Sequence, residues 1–121
     1  MRTTKIAMAA AAIFALSSPA LASAANFDVT NLAGVYSSTF TSGGADRAGA
    51  YVVDTAADSK AAQVRWIRAN NASGKTTAWD GSSSRAYSAI NTSNKVVELR
   101  SCKTDHNPFT TDICGAWVHN N

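Results

Sequence analysis

The residues of this chain able to do chemistry are few. They are two cysteines, Cys102 and Cys114, two histidines, His106 and His119, and eight scattered carboxylates. Acid–base catalysis needs paired groups whose surroundings drive their pKa values apart, held in a cleft. Asp105 and His106 are sequence neighbours, so their side chains diverge on extended backbone; Asp112 meets His106 only if the intervening loop folds back. A solvated loop is therefore preferred to a catalytic dyad. No Gly-x-Ser-x-Gly elbow, phosphate loop, His-x-x-x-His or Cys-x-x-Cys is present. The reading is a non-enzymatic protein that uses no cofactor and no metal.

The cysteines, with eleven residues between them, match no compact zinc knuckle even with His106 and His119 in the same stretch. They suit a disulfide at the base of a hairpin whose loop runs over residues 103–113. If Cys102 faces Cys114, alternation places Val97, Leu99, Ile113 and Trp117 on one face, with Leu99 opposite Trp117. Glu98, Arg100 and both cysteines then share the wet face.

Two kinds of residue are candidates for binding. The loop is polar apart from Phe109, which follows the rigid Pro108 and lies near His106. An apolar side chain on a pre-ordered loop loses little entropy on docking, which makes His106, Pro108 and Phe109 the candidate contact residues. The competing reading, which the habits of loop-adjacent aromatics favour, is that Phe109 folds back to cap the end of the domain. Trp66, Trp79 and Trp117 lie in strand-like text, so core packing is their default. Trp79 is the weakest core candidate because its neighbours Thr77 and Asp80 are polar, and it is the candidate sugar-stacking residue. Arg65, Arg68 and Arg85 mark a mixed, solvated surface rather than a basic patch.

The elements that must carry these residues are short. Residues 1–24 read as a secretory signal peptide: a basic start, an apolar run from Ile6 to Leu16, and small-residue cleavage sites after Ala22 or Ala24. The run is too short for a membrane span, which takes about 20 residues. Of the eleven basic residues, Arg2 and Lys5 leave with the leader, and the nine that stay against eight acidic residues give +1. The precursor's basic balance is thus no nucleic-acid footprint. Residues 25–121 form a single domain, expected to be extracellular.

Seven strand-like segments follow, near residues 35–41, 49–55, 63–69, 76–80, 85–90, 95–102 and 114–119, with Gly/Ser/Asn clusters between them. Phe27 and Val29 have the alternation of a further short strand. Residues 56–62 are read as connection, too short for a stable helix. The pattern predicts an all-β fold: a small antiparallel β-sandwich of about seven strands with one disulfide, in preference to a small closed barrel.

The run Val-Val-Glu-Leu-Arg-Ser-Cys102, followed by Asp112-Ile-Cys114-Gly-Ala-Trp117, resembles small secreted two-cysteine β proteins of actinobacteria. Among these it is similar to the adaptor subunit of umbrella toxin particles. The resemblance covers the last quarter of the chain and implies a β domain that joins other extracellular proteins. The expected function is a secreted protein-binding or adaptor module. The alternatives are a protease inhibitor using loop 103–113 and a carbohydrate- or cell-wall-binding protein using Trp79. The expected partner is another extracellular protein or a polysaccharide.

Overall fold

A computed structural model describes residues 25–107 and 109–120. The signal-peptide reading of residues 1–24 and the candidate contact residue Pro108 lie outside the described residues. Among the described residues there are nine strands: β1 (Asp28–Val29), β2 (Val35–Ser42), β3 (Ala45–Asp54), β4 (Ala61–Arg68), β5 (Ser73–Ala78), β6 (Arg85–Tyr87), β7 (Val96–Thr104), β8 (Ile113–Cys114) and β9 (Val118–His119). They form two antiparallel sheets, one ordered β1-β2-β3-β6 and the other β9-β7-β4-β5, with β8 on the same edge of β7 as β9. The sheets do not close on each other, so the molecule is a β-sandwich and not a barrel. No helix occurs among the described residues, and none there is long and apolar enough to cross a membrane.

The chain makes these strands where β-branched and aromatic residues run between turn formers. The tightest turn is Gly43–Gly44, with φ of 57° and 78°, the two-residue hairpin that needs positive φ at both positions. The segment read as connection holds over residues 56–60, with a bend at Asp58–Ser59 and φ of 64° at Ser59, and its last two residues already belong to β4, which starts at Ala61.

The core is built from small side chains, Val29, Val35, Ala50, Val52, Ala62, Val64, Ala78, Val96 and Leu99. At its centre the hydroxyls of Ser37 on β2 and Ser101 on β7 are 2.7 Å apart, each satisfying the other across the sheets. Trp66 packs against this core from its rim, with its ring lying over Gly74, its cross-strand partner.

Two arginines close one end of the sandwich. Arg68, carried inward by the alternation of β4, donates to the carbonyls of Ala48, Asn94 and Ala89 at 3.1, 2.7 and 3.0 Å. Burial pushes its pKa below the usual guanidinium value. Arg47 sits where the β2–β3 register shifts and has φ of 59°. Strand alternation alone would place it with Tyr51 on the outer face. The left-handed backbone instead accompanies a buried side chain that donates to Asn120 O at 2.6 Å. Arg68 is thus no part of a surface basic face, and Arg65 is held in an ion pair with Asp112.

The terminal hairpin departs from its expected register. Cys102 faces Cys114 as anticipated and the two are bonded, Cα to Cα 4.1 Å. Leu99, however, faces Val118 rather than Trp117. Three residues, 115–117, oppose the two residues 100–101, which is the one-residue excess of a bulge. Asn31 packs against Gly115, where it leaves no space for a Cβ, and donates to Ala116 O at 3.1 Å. The slip sends Trp117 to the outer face, 38 % exposed, beside the Arg100 guanidinium at 5.7 Å from the ring centroid. Ile113 shares the face of Leu99 but lies beside Lys103 at the loop end, half exposed.

Candidate functional site

The end of the sandwich opposite the two arginines carries the candidate site. Four pieces of chain meet there: residues 55–60 between β3 and β4, Trp79 just past the end of β5, the turn at residues 81–82, and residues 105–107 after β7. Ala78 is buried opposite Ala62, so the last turn of β5 toward the rim delivers Trp79 at the mouth of the core rather than in it. Trp79 is 47 % exposed, which settles it as no core residue. Its indole stacks on the His106 imidazole, with ring centroids 4.2 Å apart and planes 21° from parallel. Two residues singled out separately in the sequence are therefore one aromatic unit.

The pair lines a cleft of about 260 Å³, with Asp54, Asp58, Lys60, Ser82 and Asp105 among the other walls. The lysines beside it are each matched by a carboxylate. Lys60 Nζ lies 3.2 Å from Asp105 Oδ2, and Lys103 Nζ lies 2.7 Å from Asp58 Oδ2. The hydrogen bond from Lys103, seconded by the Lys60 backbone N–H, holds the Asp58 carboxyl below the usual carboxylate range. The Asn107 N–H, with Lys60 next, does the same for Asp105. Asp54 is 2 % exposed; its Oδ1 accepts from the Ala56 N–H at 3.1 Å, while its Oδ2 has no hydrogen-bond partner.

The loop leaving this cleft is tied at several points. Asp105 Oδ1 accepts from Asn107 N–H, Asn107 Oδ1 accepts from Phe109 N–H, both at 2.9 Å, and Thr110 N–H donates to Asn107 O at 3.1 Å. These are side-chain-to-backbone turns that fix a short loop locally. The disulfide and the Arg65–Asp112 ion pair clamp its base. Phe109 stands at the tip, 94 % exposed, so the reading in which it caps the sandwich is overturned. Asp112 faces Arg65 and Asp105 faces Lys60; neither accepts a hydrogen bond from His106. Among the described residues no group of three His, Cys, Asp or Glu is arranged to hold a metal ion.

One surface escaped the sequence reading. On the outer face of the β1-β2-β3-β6 sheet, Tyr36, Phe40, Tyr51 and Tyr87 form a continuous row with centroid separations of 5.3–6.4 Å. Tyr51 and Tyr87 are stacked, and Tyr87 is 58 % exposed. The common face of Tyr36 and Phe40 was legible from their even spacing. The pairing of β3 with β6, which adds Tyr87, is a topological fact that spacing does not carry. Comparison of the chain with models of protein families, with curated proteins and with solved structures gives no match.

Proposed function

We propose that this protein is an extracellular, non-enzymatic binding module that docks another protein through the disulfide-tethered loop. The observation that carries the reading is Phe109: a large apolar side chain, 94 % exposed, at the tip of a loop fixed by three local hydrogen bonds and a disulfide. Exposing an aromatic ring to water is unfavourable, and burying it against a partner returns roughly 1.5–3 kcal/mol. Because the loop is already ordered, little of that is lost to entropy on docking. A disulfide is compatible with an oxidising extracellular setting. The turn around Asn107–Thr110 favours contact through the side chain at the tip. An inhibitor lying in a protease cleft would present extended backbone there instead, and Phe109 would be its specificity residue.

The test is affinity capture from extracellular fluid on the immobilised oxidised protein, followed by affinity measurement of the recovered partner. Phe109→Ala is expected to weaken binding by about tenfold or more, the range for an aromatic anchor. An unchanged affinity removes the loop from the interface.

A further inference from the structure

We propose that the Trp79–His106 cleft is a binding subsite for one ring of a neutral pyranose oligosaccharide. Three features of the cleft select that ligand. The first is the exposed aromatic pair: a stacked indole and imidazole offer a flat wall, and the electron-rich ring face attracts the C–H-rich face of a sugar. The second is the supply of hydrogen-bonding groups without a free cation. Lys60 in the cleft wall is paired with Asp105, and Lys103 behind it with Asp58. An anionic ligand such as a nucleotide finds no unpaired ammonium there, whereas the paired groups retain lone pairs and N–H bonds for hydroxyls. The third is Asp54, in the lining of the cleft, 2 % exposed, with Oδ2 lacking any donor. Buried polar atoms are nearly always satisfied, and this oxygen, sealed beside the cleft, gains a sugar hydroxyl as donor only if the wall over it gives way as the ring enters.

The size agrees. A cleft of about 260 Å³ lies just under the usual range for small-molecule sites, enough for one ring and not for a long chain. The rest of an oligosaccharide would run over the surface beside the loop. This subsite goes beyond the protein-docking reading and does not depend on it, since Phe109 does not line the cleft.

The experiment is NMR titration of the ¹⁵N-labelled oxidised protein with cellotetraose, maltotetraose and chitotetraose, and with tetragalacturonate as the acidic comparison. A saturable shift of the Trp79 indole N–H and the His106 signals at millimolar concentration is expected with at least one neutral tetramer. Trp79→Ala is expected to weaken that binding about tenfold, and Trp79→Leu, which keeps an apolar group but no flat face, to weaken it similarly. Phe109→Ala is expected to leave it unchanged, which separates this subsite from the loop. The proposal is overturned if no neutral tetramer moves these signals, if both Trp79 variants bind like the parent, or if tetragalacturonate binds more tightly than every neutral tetramer.

Discussion

Gly49 and Gly74 show how single residues set the packing of each sheet. A Cβ on Gly49 would sit 2.5 Å from Phe40 Cζ and 2.8 Å from Ser88 Oγ; one on Gly74 would sit 2.5 Å from Trp66 Cζ2. In both cases an aromatic ring lies flat across its cross-strand glycine. Gly49→Ala is expected to destabilise by about 1–3 kcal/mol, the cost of overpacking, read as a lower urea midpoint. The same substitution at the exposed Gly44, with open space around it, meets only its positive φ. Arg68 is the polar counterpart. Its guanidinium satisfies three carbonyls, so Arg68→Ala leaves buried acceptors bare and is expected to cost about 3 kcal/mol in chemical denaturation. A loss within experimental error would mean that water replaces the guanidinium freely. Neither arginine role is legible in the sequence, where Arg68 reads as a surface charge and nothing distinguishes Arg47. A lone arginine in strand text carries no sign of the bulge or the chain end that will accept its hydrogen bonds.

Among the elements, the terminal hairpin separates what alternation decides from what it leaves open. The disulfide, the wet face of Glu98 and Arg100, and the inward Leu99 followed from period-two patterning and a facing cysteine pair, whereas a register shift opposite Ile67 and Arg68 puts Val96 rather than Val97 in the core cluster. Trp117 did not, because one extra residue flips every following side chain and nothing local announces the Asn31 contact that holds the bulge. The loop was recognised as the candidate contact element, yet its meeting with Trp79 depends on strand order. The disulfide closes a short loop, so its reduction is expected to cost about 3 kcal/mol and to loosen the segment carrying His106 and Phe109 first. Faster hydrogen exchange spread evenly over both sheets would contradict that localisation. The connection before β4 has its own pH signature. Asp58 is held below its ordinary pKa of 3.8 chiefly by Lys103, so the pair stabilises the fold above that value. Its contribution is lost as pH falls through the lowered folded-state pKa. Lys103→Ala is expected to bring the Asp58 NMR titration midpoint back up toward 3.8, and an unmoved midpoint would assign the depression to the backbone N–H alone.

On the scale of the whole molecule, the sandwich divides its labour between its ends. Arginines and backbone carbonyls seal one end, while the other gathers Trp79, His106, two ion pairs and the tethered loop. Eight residues of β4 set these ends roughly 20 Å apart, so a partner at one leaves the other untouched. The outer aromatic row of Tyr36, Phe40, Tyr51 and Tyr87 is a third surface, lying on a sheet face instead of an end. Hydrogen exchange of the oxidised protein, alone and with its captured partner, distinguishes the loop end from that face in one measurement. Protection concentrated in residues 105–112, with β6 exchanging as in the free protein, is the predicted result. Protection of residues 85–87 and their β3 partners, with residues 105–112 unchanged, would contradict the account.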